Sequence, residues 1–176
     1  MEKVNVKIKK LNENAVIPFY AHPGEDAGLD IIATSYEYKK DIDAHVYGCG
    51  LAFELPKGYY LKAVPRSLNR KTDCYLTNHS AIGDSGYRNE YFFTFKNRTS
   101  SKVANLFNLF GRTILQLCAP LGIKLDFKDM ELKKPYEVGD KIVQIQILPY
   151  PEVIFEEVNE LSESERGLGG HGSTGN

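Results

Sequence analysis

Short apolar runs of period two, closed every few positions by turn residues, leave this chain little to fold into except packed antiparallel sheets. Val4, Val6 and Ile8 alternate with polar residues, and β-rich runs recur at residues 52–55, 59–64, 91–95, 142–148 and 153–155. Pro56, Lys57 and Gly58, the 83–86 stretch, and Val138, Gly139 and Asp140 punctuate them. Many short strands with frequent turns predict an all-β sandwich or barrel. One exception lies between Thr99 and Cys118, where Val103, Leu106, Phe107 and Phe110 follow helical spacing. Ser100 or Ser101 is the expected N-cap, and Gly111 is expected to end or weaken the helix.

At 176 residues the chain suits one domain with a core of its own. A net charge of -1 implies no general attraction to nucleic acid or to a membrane surface, so any anionic ligand must meet a local cluster. Three cysteines at wide spacing argue against both a disulfide framework and a zinc site, and fit a reducing compartment. The N-terminus has no signal-peptide core, and no apolar run is long enough to span a bilayer. A cytoplasmic protein is expected.

Chemistry-bearing residues gather in a few stretches. Residues 78–90 place Asp84 in a Gly-Asp-Ser-Gly turn, with Tyr87 three positions on and an apolar strand following. Such a turn reads as a β-hairpin whose tip either carries a solvated acid or offers unpaired backbone groups to a planar ligand. Arg66 and Ser67 follow directly on the 59–64 run, where a guanidinium and a hydroxyl suit phosphate oxygens or simply a surface turn. Gln144 is a polar side chain set among Ile142, Val143 and Ile145, facing either solvent or a ligand. The C-terminal 165–176 segment has little to bury. It is either a disordered tail or a closing arm that brings one cation, one ring and many approachable N–H groups to a phosphate chain and a base.

Taken in order, Ala27 to Asp30, Pro65 to Ser67, residues 78–90, Gly139 to Gln144 and Arg166 to Gly175 resemble the five ordered motifs of the homotrimeric dUTPase family. The resemblance runs from Lys7 to the C-terminus apart from an insertion at about 99–135. It implies an all-β, distorted jelly-roll barrel with a short helical insertion. Residues 1–160 would form the β domain and 161–176 a glycine-rich arm closing over the active site. It also implies a homotrimer with active sites shared between subunits, acting on dUTP with Mg2+ as cofactor, with no nucleic-acid or membrane partner.

The implied reaction is hydrolysis of dUTP to dUMP and pyrophosphate by water attacking the α-phosphorus. In the family's pattern Asp84 activates the water, which is general-base work for an ionised carboxylate. Tyr87 packs beneath the deoxyribose and excludes a ribose 2'-hydroxyl. Uracil is read by backbone groups with Asn78 assisting. Arg66, Ser67 and Gln144 hold phosphates, and Asp30 meets the magnesium through water, as suits an ion that prefers phosphate oxygens and keeps its waters. Arg166, His171, Gly172 and Ser173 complete the substrate-binding set from the arm.

Several positions depart from the family's pattern. Gly83 stands where a branched apolar residue usually precedes the aspartate, and Asn89 where a glycine usually follows the Tyr-Arg pair, the asparagine itself tolerating a left-handed conformation. Ala81 and Leu68 are also unusual. His171 replaces the arm's usual phenylalanine, so dUTP affinity is expected to change with pH near about 6.5, and His171→Phe to flatten that profile. The insertion is expected to pack outside the roll or against a neighbouring subunit. Two alternatives share the fold or pocket. A dCTP deaminase would need a glutamate where Thr94 stands, and a nucleotide-binding regulator would bind without hydrolysing.

Overall fold

The computed structural model describes residues 3–123 and 125–165. Its β elements are β1 (Lys7–Lys10), β2 (Leu29–Ile32), β3 (Ser35–Lys39), β4 (Ala44–Gly48), β5 (Leu51–Glu54), β6 (Tyr59–Pro65), β7 (Cys74–Leu76), β8 (Ala81–Gly83), β9 (Phe92–Asn97) and β10 (Lys141–Pro149). Three antiparallel sheets result, in the orders β1-β5, β2-β10-β6-β8 and β3-β4-β9-β7. The all-β, jelly-roll-like expectation holds.

Alternation drives this arrangement. In β6, Leu61 and Ala63 point inward while Lys62 between them does not, and in β9 Phe93 and Phe95 do the same. The inward faces close on a core that includes Ile31, Tyr47, Leu51, Leu61, Phe95, Ile142 and Ile145, all nearly solvent-free. Burial of this apolar surface is the main favourable term in folding. In β10 the alternation breaks, because a register shift between Lys141 and Val143 lets both Ile142 and Val143 turn inward. Such a bulge re-aims the residues beside it. Tyr136, arriving from the insertion, is tied to the core where Tyr47 Oη donates to its carbonyl at 2.7 Å.

His45 on β4 is buried inside a polar network. Its Nδ1 lies 3.0 Å from Tyr36 Oη and its Nε2 2.9 Å from Asn97 Nδ2. The Cys74 thiol donates to Asn97 Oδ1 at 3.1 Å, which orients the amide so that its nitrogen donates to Nε2. His45 is then a neutral ring with its proton on Nδ1. Burial pushes its pKa down, with Lys134 adding to that and Asp43 opposing it.

The helix α1 (Ser101–Cys118) starts as its sequence predicts, with Ser100 Oγ accepting from the Val103 N–H. It does not end at Gly111. A Cβ there would lie 2.0 Å from the Phe127 ring, so the glycine is a notch that admits the returning segment. Asn108 exchanges two hydrogen bonds with the backbone of Met130, and Arg112 pairs with Asp129. The helix meets the roll near its start, where Ala104 is buried and the Ser101 N–H donates to Asp43. Leu106, Phe110 and Leu117 remain exposed, so the apolar stripe does not cover the roll. Residues 153–155, expected as a strand, form none, and Ile154 and Phe155 are exposed because no strand among the described residues lies alongside them.

Candidate active site

The sequence suggests a hairpin at residues 78–90, but the two arms belong to different sheets. β8 pairs with β6, through Leu61 opposite Gly83 and Ala63 opposite Ala81, whereas β9 pairs with β4 and β7. A turn closed by the Tyr87 N–H donating to the Asp84 carbonyl at 3.1 Å joins them. β8 is an edge strand, so its outer backbone groups face the space between the arms without a strand partner. That space is a cavity of about 200 Å³, with Asn78, Ala81, Asp84, Tyr87 and Tyr91 on its walls. Unpaired backbone groups on one wall and rings on the other suit a planar, hydrogen-bonding ligand.

Asp84 sits at the tip, exposed, and its carboxylate makes no hydrogen bond or ion pair among the described residues. Tyr87 Oη donates to the Glu90 carbonyl at 2.9 Å, which holds the ring beside the cavity mouth. Glu90 in turn accepts from the Gly50 N–H at 2.7 Å and anchors the turn to the body of the fold. The Asn89 side chain accepts from the Glu90 N–H. Asn89 does not take the left-handed conformation its chemistry allows; in this stretch His79 does, at φ 52°.

A second group forms where β2, β10 and β6 run side by side. Asp30 lies opposite Gln144 in the β2–β10 register, and Gln144 opposite Val64 in β6, so strand pairing carries Asp30, Gln144 and Arg66 to one place. Arg66 Nε donates to Asp30 Oδ1 at 2.9 Å, and Lys141 Nζ lies 2.9 Å from Asp30 Oδ2. Burial works against ionising Asp30. Hydrogen bonds from Lys141 and Gln144 and the two positive charges outweigh it, so its pKa falls below the ordinary value. Ser67 opens the short 3-10 turn Ser67–Lys71 beside this group. The adjoining cleft, about 490 Å³, is lined by the cations Arg66, Lys71 and Lys141 and by one carboxylate, Asp140, a balance that favours an anion.

Asp30, Arg66 and Gln144 are thus brought together, as are Asn78, Asp84 and Tyr87. No hydrogen bond or ion pair joins the two groups among the described residues. Arg166, His171, Gly172 and Ser173 lie outside the described residues. Lys141 and Tyr91 are the site residues that sequence reasoning missed. Lys141 stands within the Gly139 to Gln144 stretch, but the bulge that turns it toward Asp30 leaves no mark in the sequence. Tyr91 reads as an ordinary strand aromatic.

Both oxygens of Asp30 already face cations, and no cluster of three or more His, Cys, Asp or Glu among the described residues is arranged to hold a metal. This donor set does not fit a resident ion caged by protein. It fits an ion that arrives on phosphate oxygens and keeps its own waters. Among the described residues no helix is long and apolar enough to cross a membrane.

No family model matches the chain. It is 35% identical over 173 residues to the deoxyuridine 5'-triphosphate nucleotidohydrolase of Clostridium acetobutylicum, covering 98% of this chain and 97% of that one. The enzyme of the same name from Clostridioides difficile is 33% identical over 172 residues, covering 97% and 98%. Among solved structures, the Staphylococcus bacteriophage 80alpha dUTPase with dUpNHpp aligns at a TM-score of 0.67 and 24% identity, covering 97% of this chain and 98% of that one. A dUTPase mutant from phage phi11 of S. aureus, described with a structural Mg(II) ion, aligns at 0.61 and 23% identity, covering 89% and 97%. Those two likenesses speak for the fold, and the near-complete match to the clostridial proteins decides the lineage: this chain belongs to the deoxyuridine 5'-triphosphate nucleotidohydrolase, or dUTPase, family.

Proposed function

We propose that this protein hydrolyses dUTP to dUMP and pyrophosphate, with Asp84 as the base that directs water at the α-phosphorus. The observation that carries this reading is the Asp84 carboxylate at the rim of the cavity between β8 and β9, which has no hydrogen bond or ion pair among the described residues. A carboxylate free of ion pairs is ready to accept a water proton, and general-base help of this kind contributes about 10²–10⁴-fold in rate. The base lies in the cavity against the free edge of β8, with Asn78 assisting, and the sugar rests on Tyr87. Groups matched to uracil stay unpaired against cytosine, which makes the wrong base costly.

Arg66, with Ser67 and Gln144, grips the phosphate chain, and the charge-assisted bonds of the guanidinium suit it to that work. Asp30 holds Arg66 and Lys141 in readiness and offsets one of their two positive charges until phosphate arrives. Mg2+ comes with the triphosphate as part of the substrate and supplies charge neutralisation on the phosphate oxygens. Asp30 is the residue that would meet it, through water. Arg166, His171, Gly172 and Ser173 belong to the arm, residues 161–176, that closes over the bound nucleotide.

The assembly is a homotrimer that shares its sites between subunits, and the cell compartment is the cytoplasm. Two facts support the shared site: among the described residues no hydrogen bond or ion pair joins the phosphate group to the Asp84 group, and residues 153–155 offer an exposed apolar segment with no strand partner among them. The free cysteines Cys49, Cys74 and Cys118 suit a reducing compartment. Deamination lacks its acid, since Thr94 contributes a hydroxyl from β9. Pyrophosphate release from dUTP, with dCTP and dTTP as controls, tests the reading. Release confined to dUTP is expected, and binding of dUTP without release would favour a nucleotide-binding regulator.

A further inference from the structure

Tyr91 carries a buried hydroxyl with no hydrogen-bond partner among the described residues. Native folds rarely leave such a group unpaired, and where they do a ligand is one explanation. The Tyr91 backbone is fixed on both sides. The Tyr91 N–H donates to the Leu51 carbonyl at 3.3 Å, and its own carbonyl accepts from the Cys49 thiol at 3.3 Å. The edge-on rings of Phe53 and Tyr87, at 5.5 and 4.9 Å between centroids, hold its ring in place. Its oxygen lies against Gly83, where an added Cβ would come within 2.3 Å. Any residue larger than glycine at position 83 would occupy the hydroxyl's place. The absent side chain at Gly83 and the phenol of Tyr91 are therefore one feature: a bulky group is supplied across the cavity, and it brings an O–H with it.

We propose that Tyr91 is a base-binding residue, its hydroxyl donating a hydrogen bond to a carbonyl oxygen of the pyrimidine that enters between β8 and β9, and that it discriminates against cytosine where that oxygen is O4. The location carries this, since Tyr91 and Gly83 line the same cavity as Asn78, Asp84 and Tyr87. The chemistry agrees. Burial pushes the phenol up to about 12, with the charges of Tyr87 and Asp84 acting in the same direction, so at neutral pH the group is a donor. In the free protein the hydroxyl is sealed against Gly83, and the base parts the two walls as it enters. Commitment to a donor favours a carbonyl over an N–H at that edge of the ring. The inference deepens the dUTPase reading and rests on it for the identity of the base.

Tyr91→Phe removes one oxygen and keeps the packing, and it is read out in two ways that move in opposite directions. The affinity for dUMP, measured by calorimetry, should fall about five- to tenfold, the usual worth of one such hydrogen bond. The melting temperature of the ligand-free protein should rise, because a buried unpaired hydroxyl is gone. Removal of a hydroxyl with a merely structural role would lower both stability and affinity. Unchanged dUMP affinity, absence of dUMP binding by the wild-type protein, or a fall in melting temperature would each overturn the proposal. Comparing dUMP with its 2-thio and 4-thio analogues locates the acceptor: the penalty of Tyr91→Phe should shrink for one of them, and an equal penalty for all three would exclude a base carbonyl. Pyrophosphate release from dUTP by the wild-type protein is scored separately and reports on the hydrolase reading, since dUMP has no bond to break.

Discussion

Arg66 and Asp30 meet at 2.9 Å with less than a quarter of either side chain exposed, and Lys141 approaches the other oxygen of the same carboxylate. One anion thereby holds two cations beside the cleft where a polyphosphate would lie. Asp30→Asn keeps the shape but leaves the cations to repel each other. A loss of about 1–3 kcal/mol at pH 7 is expected, between an exposed ion pair and a fully buried one. The sign with pH follows from the lowered pKa of Asp30. Its contribution is complete above the unfolded value of about 3.9 and is lost as pH falls through the lower folded value. Urea unfolding at pH 7 and pH 3 should show the gap between wild type and variant shrinking at the acid end; a constant gap would contradict this assignment.

His45 sets a second pH dependence. Because its folded pKa is depressed, the unfolded chain takes up the proton first. The stability it contributes is present above the unfolded pKa of about 6.5 and declines as pH falls through the folded value. Thermal melts of the wild-type protein should therefore lose stability on acidification below about 6.5. His45→Gln keeps amide hydrogen bonds near Tyr36 and Asn97 but cannot titrate, so its melting curve should be lower at neutral pH and lack that step.

Gly111 offers a case in which two effects oppose each other. Alanine is better than glycine inside a helix by about 1 kcal/mol. Against that, a methyl at position 111 would meet the Phe127 ring at 2.0 Å, and overpacking typically costs about 1–3 kcal/mol. Gly111→Ala should therefore destabilise the insertion, visible as faster amide exchange in α1 with little change in the β sheets. Slower exchange in α1 would mean that Phe127 does not pack there.

Elements governed by one dominant physical signal were legible in the sequence. β6 and β9 stand out as runs rich in aromatic and apolar residues, and in both the buried positions alternate, Leu61 and Ala63 around Lys62, Phe93 and Phe95 around Thr94. β8 has three residues, and β2 mixes Asp30 into an apolar run, so neither rises above its surroundings without the partner strand. The helix was legible from Val103, Leu106, Phe107 and Phe110, but its packed face was not. The residues it buries are Ala104 and Gly111, small ones with a weak hydrophobic signal; of the stripe, Phe107 meets the Phe127 ring, while Leu106 and Phe110 face outward. In the site, each motif was readable by itself. What the sequence withheld was long-range: the register that sets Asp30 opposite Gln144, the bulge that brings in Lys141, and the pairing of Gly83 with Tyr91 across the cavity.

The central claim is that Asp84 activates the attacking water, and Asp84→Asn tests it most directly. The amide keeps the size of the side chain and its place in the turn but has no lone pair basic enough to accept the water's proton at neutral pH. Pyrophosphate release from dUTP should fall by about 10²–10⁴-fold in kcat, while affinity for a non-hydrolysable dUTP analogue stays within a few-fold of wild type. Hydrolysis retained near the wild-type rate would mean that the base lies elsewhere.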